Sequence, residues 1–378
     1  MKRLTPTTQH YQWGSRTLLT QLRGAPESEE PEAELWYGAH PDAPSTLMDG
    51  STLLDQIIAD PVARLGEGIV SQFGHGLPFL VKLLAAESPL SIQIHPTAEQ
   101  AAAGFEREEA EGIHRQAPHR SFRDSNHKPE LIVAVSQFEA LVGFRPIKDT
   151  LQFLGLLQAD DLISLLNEHG PRNAVAWLLS SRERDADRVA GVVRRISETA
   201  PTLGGSAFAA EADLLTRLAA TYRGDPGIAV AALLNRVLLE PGQALYLDAG
   251  TLHAYAGGLA VEIMANSNNV LRGGLTPKHI DVPMLLECLG PQVGPAEILV
   301  PGERDRYQTP AAEFELGLIR SAHTIQGPAI VLSVTGETTV RSEATVLVLR
   351  PTEAVWIDAG ETIDVESTGT GVVAQANA

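Results

Sequence analysis

A twelve-residue pattern recurs in this chain. Leu239-Glu-Pro-Gly-Gln-Ala-Leu-Tyr-Leu-Asp-Ala-Gly250 aligns without a gap to Leu349-Arg-Pro-Thr-Glu-Ala-Val-Trp-Ile-Asp-Ala-Gly360, 110 residues further on, and six of the twelve positions are identical. The recurrence predicts two copies of one β-unit. The copies part where His253 of the first is matched by Ile363 of the second. If His253 binds a metal, the second copy has kept the scaffold and lost the site.

Ahead of the first copy the hydrophobic period changes. Val189, Val192, Val193 and Ile196 fall at i, i+3, i+4 and i+7, one apolar stripe of a helix. Leu151, Leu154 and Leu157 begin a similar pattern behind Asp149, which reads as an N-cap. The pattern continues through Val230, Leu233 and Leu234, punctuated by Gly170-Pro171, Gly204-Gly205 and Pro226-Gly227. Residues 148–238 are thus expected to form a helical insert. On either side the texture is β-rich. Leu77–Ala86 and Leu131–Val135 read as buried strands, and Val331–Val334, Thr345–Leu349 and Ala354–Ile357 as short β-rich runs separated by turn residues. Leu53–Ile58 and Ala98–Glu111 are helical patches. The fold class expected is mainly β with a helical insert. Its parts are a discontinuous β-domain over 1–147 and 239–290, the insert, and a C-terminal β-domain over 291–378.

At 378 residues the chain is long enough for two or three domains. With 29 basic against 47 acidic side chains it carries a formal charge of −18, the wrong sign for a nucleic-acid partner. A small anion held by a few local cations remains compatible with that charge. The single cysteine, Cys288, excludes an internal disulfide and a thiolate metal cluster. Met1–Trp13 lacks an apolar stretch of signal-peptide length, and the most apolar run, Leu77–Ala86, is too short to span a bilayer. A cytoplasmic protein with no membrane association and no required protein partner is the expectation.

Three segments carry chemistry. In Ser91-Ile-Gln93-Ile-His95, alternation puts Ser91, Gln93 and His95 on one face of a strand. Such a strand could simply be half exposed, yet Gln93 and His95 could also point at one ion. In Asn126-His127-Lys128-Pro129-Glu130, Pro129 favours extended backbone at Lys128, projecting Lys128 and Glu130 to one side. By themselves they could be a surface ion pair of little worth. In the third, Ala249 to Lys278, His253 precedes Glu262, which alternates with apolar neighbours and so faces an interior where it needs a partner. Arg272 stands before Gly273-Gly274, where a ligand can approach the backbone, though an arginine beside glycines is often only a solvated loop. Together Gln93, His95, Glu130 and His253 offer an amide, a carboxylate and two imidazoles. That donor set suits zinc and would also accept manganese, cobalt or iron.

These segments resemble the type I phosphomannose isomerases, zinc enzymes of the cupin superfamily. The likeness is carried by Pro-Leu-Ser-Ile-Gln-Ile-His-Pro96, Asn-His-Lys-Pro-Glu130, Ala-Gly-Thr-Leu-His-Ala-Tyr255 and Glu262-Ile-Met-Ala-Asn-Ser-Asn-Asn-Val-Leu-Arg-Gly-Gly-Leu-Thr-Pro-Lys278. Tyr11-Gln-Trp-Gly14 and Ala33-Glu-Leu-Trp-Tyr-Gly38 add to it. The resemblance implies two cupin-like jelly-roll β-domains, the C-terminal one metal-free, flanking the α-helical part. It implies one zinc ion per chain on Gln93, His95, Glu130 and His253, a catalytic role for Arg272, and proton transfer or substrate contact for Lys128. Ser91, Lys82 and Lys278 match residues that meet substrate or its phosphate in relatives. Relatives commonly carry Asp where this chain has Asn268, which can bond a sugar hydroxyl but cannot titrate; proton transfer then falls to Lys128, His127 or Glu262. The activity implied is interconversion of mannose 6-phosphate and fructose 6-phosphate through an enediol. Its rivals are a non-catalytic sugar-phosphate-binding cupin, or an isomerase or epimerase of the same fold acting on another sugar.

Overall fold

One long strand, His253–Ala265, organises the first β-part. Its first half pairs with Gln93–Ile94 and Phe138–Phe144, its second with Phe79–Ala86 and Glu130–Ala134. The change of partners falls at Gly257-Gly258, where the register also shifts. Gly258 has φ +116°, and a Cβ there would overlap the Gln137 carbonyl oxygen, so only glycine lets the strand turn here. The bend brings two half-sheets around an interior of Leu84, Ile132, Phe138, Leu245 and Tyr255. The computed structural model describes residues 1–180 and 185–377.

The C-terminal β-part is also two-layered. A five-stranded sheet runs in the order Lys2–Leu4, Ala354–Ile357, Ala329–Thr335, Thr370–Gln375, Glu315–Ile319. It faces a four-stranded sheet of His323–Gln326, Thr362–Ser367, Thr338–Arg341 and Val346–Leu349 across a core containing Val331, Val340, Ile357 and Ile363. The outer face of the five-stranded sheet packs on Val81, Leu83, Leu131, Val133 and Val261 of the first part. Lys2–Leu4 therefore belongs to the C-terminal sheet, a long-range pairing that its position at the start of the chain does not suggest.

The repeated twelve residues adopt one structure twice. Strands end at Leu239 and Leu349 and resume over Ala244–Leu247 and Ala354–Ile357. Each turn closes with a matching backbone bond, Gln243 N–H to Glu240 O and Glu353 N–H to Arg350 O, both 2.9 Å. Ile363 is buried in apolar core at the place where the first copy has His253.

Helices cover Ile147–Leu156, Asp160–Ser180, Ala186–Thr199, Ala209–Thr221 and Gly227–Ala231. The predicted stripe Val189, Val192, Val193 and Ile196 is buried as expected. These helices share one core with Ile92, Ile94, Leu252, Leu271 and Leu275, so the insert backs the half-sheet bearing Gln93 and Arg272. Three local readings change. The first helix starts at Ile147 behind Pro146, so Asp149 lies in the first turn, where its charge suits the helix dipole, and is not the N-cap. The helical run ends at Ala231, and Leu234–Leu239 is already a strand paired with Phe138–Phe144; this pairing overrides the apolar spacing that suggested helix up to 238. Only Gln93–Ile94 of Ser91–His95 is regular strand; at Ile92 the pairing slips, its N–H donating to the Gly274 carbonyl at 3.1 Å while its carbonyl accepts the Gly273 N–H at 2.8 Å.

Candidate metal centre and its cavity

Register puts Arg272, Gln93 and His253 side by side across three neighbouring strands, and cross-strand neighbours share a face. The two imidazoles are oriented by backbone carbonyls. His95 Nδ1 bonds to Asn269 O at 2.8 Å and His253 Nδ1 to Thr251 O at 2.9 Å. A carbonyl can only accept, so each Nδ1 carries the proton and each Nε2 presents a bare lone pair. Both Nε2 atoms face Glu130, at 3.3 Å from Oε1 for His95 and 3.6 Å from Oε2 for His253. One donor atom from each of His95, Glu130 and His253 lies within 4.8 Å of the others, all buried. Among the described residues His95 Nε2 has no hydrogen-bond partner. An unpartnered buried lone pair is costly to leave unmet, and two neutral imidazoles with a carboxylate are what a zinc-type cation needs. The residues present fit the metal.

Charge in the site acts on His253 and Glu130. Burial, reinforced by neighbouring His95, pushes the His253 imidazole down to about 4. At Glu130 burial is the largest single effect and works the other way, but Lys128, with Nζ 3.0 Å from Oε1, together with His95 and His253 outweighs it and holds the carboxyl well below its usual range.

Behind this triad lies a second buried group. Lys82 Nζ stands 2.8 Å from Glu262 Oε2 and 3.5 Å from Glu34 Oε1. Tyr255 donates its hydroxyl to Glu262 Oε1 at 2.9 Å, and Trp36 Nε1 donates to Glu34 Oε2 at 2.7 Å. Burial alone would lower the Lys82 pKa, yet Glu262 and Glu34 reverse the effect and raise it. Glu262 is raised mainly by burial, against the pull of Lys82. Lys82 is thereby engaged by two carboxylates. Tyr255 and Glu34 were not picked out from sequence. Tyr255 stands at i+2 from His253, on the same strand face, and that spacing alone could have flagged it.

A cavity of about 680 Å³ is lined by His40, Asp42, Arg123, His127, Asn268 and Glu313, among others. His127 Nε2 lies 2.6 Å from Oε1 of Glu313, which the C-terminal β-part supplies, and this bond raises the His127 pKa. Asn268 donates Nδ2 to Asp42 Oδ2 at 2.9 Å and its backbone N–H to Asp124 Oδ2 at 2.7 Å. Its neighbour Asn269, also absent from the sequence-derived set, ties the site together. Its side chain donates to the carbonyls of Asp124 and Asn126 and accepts the Arg123 N–H, while its own carbonyl orients His95. Arg272 and Lys278 are both lowered, first by burial and then by neighbouring cations: Arg123 acts on Arg272, and Arg272 and Arg123 act on Lys278. Arg272 and Lys278 thus lie near enough to Arg123 and to each other for their charges to interact. Ser91 is half-buried two residues before Gln93.

Comparisons with known proteins agree with this geometry. Residues 1–147 match the model of the phosphomannose isomerase type I catalytic domain. Mannose-6-phosphate isomerase of Salmonella typhimurium is 36% identical over 395 residues, covering 99% of both chains. The human protein of that name is 34% identical over 315 residues, covering 76% of this chain and 72% of its own. Among solved structures, the Salmonella typhimurium enzyme bound to its substrate (F6P) and zinc superposes with a TM-score of 0.90 at 34% identity, covering 100% of each chain. A mannose 6-phosphate isomerase bound with zinc and yttrium gives 0.90 at 34% identity, with the same coverage.

Proposed function

The chain belongs to the type I phosphomannose isomerases, and from that premise we propose that it interconverts mannose 6-phosphate and fructose 6-phosphate through an enediol. The observation that carries the reading is the buried triad His95, Glu130 and His253, whose donor atoms converge with one lone pair unmet. Gln93, in register with His253, is the fourth ligand in this reading. The chemistry a zinc ion supplies when bound there is polarisation of a carbonyl or hydroxyl oxygen.

The remaining work falls to side chains of this chain. Removing a proton from carbon beside a carbonyl leaves negative charge on oxygen, and Lys128 stands beside the ligand carboxylate, where it can stabilise that charge. Arg272, permanently cationic, holds the substrate from the same strand row as Gln93. Glu262, whose buried carboxyl binds a proton more tightly than usual, moves the proton between C1 and C2. Lys278, with Ser91, meets the phosphate, while His127 and Asn268 line the cavity where the open-chain sugar lies.

The test is a coupled assay for fructose 6-phosphate formed from mannose 6-phosphate. Turnover should vanish on chelation and return with zinc. Undiminished turnover by the stripped protein, or none after zinc is restored, overturns the assignment.

A further inference from the structure

The segment that joins two helices of the insert grips the loop carrying Lys278. Asp225 Oδ1 accepts the N–H of Leu275 at 3.0 Å and of Gly227 at 2.7 Å, and its Oδ2 accepts the N–H of Thr276 at 3.1 Å. One carboxylate thus satisfies two consecutive amides of the loop and one of its own turn. The fit is close: a Cβ at Gly227 would overlap the Leu275 nitrogen and Gly274, and a Cβ at Gly274 would overlap Gly227. The loop it holds is not relaxed. Leu275, buried and branched, sits at φ +55°, a conformation that is rare for such a residue and stays populated only where surroundings impose it. Thr276 in turn accepts the Lys278 N–H through its hydroxyl at 3.2 Å. The same insert segment fastens a second strand of the site, since Tyr222 donates its hydroxyl to the Pro89 carbonyl at 2.6 Å, two residues before Ser91.

We propose that Asp225 of the helical insert is a positioning residue for substrate binding, holding Leu275 and Thr276 so that Lys278 is presented to the phosphate. The inference rests on the isomerase reading above. It also assigns a task to the insert that its distance in sequence from every site residue conceals. The hold is selective. Arg272 lies before the gripped amides and is anchored separately, by strand pairing to Gln93. Loss of Asp225 should therefore release Lys278 and leave Arg272 in place.

Asp225→Ala and Asp225→Asn separate the possibilities in full-length, zinc-loaded protein. The alanine variant should raise KM for mannose 6-phosphate about tenfold, with kcat within about threefold of wild type and zinc content unchanged. The asparagine variant keeps one acceptor and should give a smaller rise, about threefold, so the series stays readable if the alanine variant folds poorly. Amide hydrogen exchange at Leu275 and Thr276 should quicken in both. A lower melting temperature with KM unchanged, or unchanged exchange at the two amides, overturns the proposal. If wild type fails to turn over mannose 6-phosphate, the isomerase reading falls separately. Inorganic phosphate affinity then decides the positioning role: weaker binding by the variants upholds it and equal binding ends it.

Discussion

Lys82 and Glu262 face each other across two adjacent strands of the barrel interior, Nζ 2.8 Å from Oε2. The two partners are not equivalent. Without Glu262, Lys82 still has Glu34 at 3.5 Å; without Lys82, Glu262 and Glu34 are left as neighbouring buried carboxylates. Removing one partner of a buried pair costs about 3–5 kcal/mol, mostly from the charge left behind. Lys82→Met should therefore destabilise by about that amount in urea denaturation, while Glu262→Gln, which keeps the Tyr255 contact, should cost distinctly less. Glu262→Gln should instead lower kcat by ~10²–10⁴-fold with zinc retained. Near-wild-type kcat in that variant would remove Glu262 from the proton path.

The triad predicts a division between fold and metal. His253 begins a long strand whose other residues are held by pairing on both sides, so its ring contributes to the site more than to the sheet. His253→Ala should lose zinc and activity while circular dichroism stays close to wild type. Metal analysis checks it; wild-type zinc content would contradict the ligand assignment.

The fold and the site were not equally legible. The repeat, the helical stripe and the buried strands could be read because each depends on local periodicity. His95, Glu130 and His253 stood out because imidazole and carboxylate on alternating strands have few structural uses. Glu313, Asp225 and Glu34 could not be found this way: each acts from a different part of the chain, and only tertiary packing brings it to His127, Leu275 or Lys82. Lys2–Leu4 escaped for the same reason, since its partner strand lies at the far end of the sequence.

Asn268 is accommodated by Asp42, which accepts its side-chain amide at 2.9 Å, with Asp124 on its backbone N–H. Placing the Asp found in relatives here would set a third carboxylate against two. Asn268→Asp should therefore lower stability by up to about 1 kcal/mol, and Asp42→Asn should restore it in the double variant. Additive effects in that cycle would show that the two residues do not communicate.

The His127–Glu313 bond makes stability depend on pH from both sides. His127 is raised above 6.5, so its share is full below that value and is lost as pH rises through the folded-state pKa. Glu313 is lowered below 4.5, chiefly by His127 against burial, so its share is full above 4.5 and is lost as pH falls through the folded-state value. Asp248 and Glu99 also raise His127, so part of its shift survives without Glu313. Glu313→Gln should destabilise most between pH 4.5 and 6.5, by about 1 kcal/mol after allowance for solvent exposure, and the gap should narrow towards pH 3 and pH 9. Melting curves across pH test this, and NMR titration of His127 should show its pKa falling towards 6.5 in the variant.

The repeat supplies a last prediction, because its two turns differ at one position. The third turn residue lies at φ +85° in Gly242 and at φ +72° in Thr352. Glycine takes that conformation freely, whereas a β-branched residue held there costs about 1–3 kcal/mol. Thr352 stays because its turn is pinned on both sides: its N–H reaches Ser333 O at 2.8 Å and its carbonyl accepts the Tyr37 hydroxyl at 2.7 Å. Thr352→Gly keeps both backbone bonds, relieves the conformation and gives back up to about 1 kcal/mol through the more flexible unfolded chain. The net expectation is stabilisation by about 1 kcal/mol. The reciprocal change should go the other way. A Cβ at Gly242 would stand 2.9 Å from the Arg320 guanidinium, the end of a flexible side chain that can give way, so Gly242→Thr should destabilise through conformational strain, by about 1–3 kcal/mol. Urea midpoints for the two variants, measured side by side, should move in opposite directions. A shift of the same sign in both would mean that the two turns are not energetically the same unit.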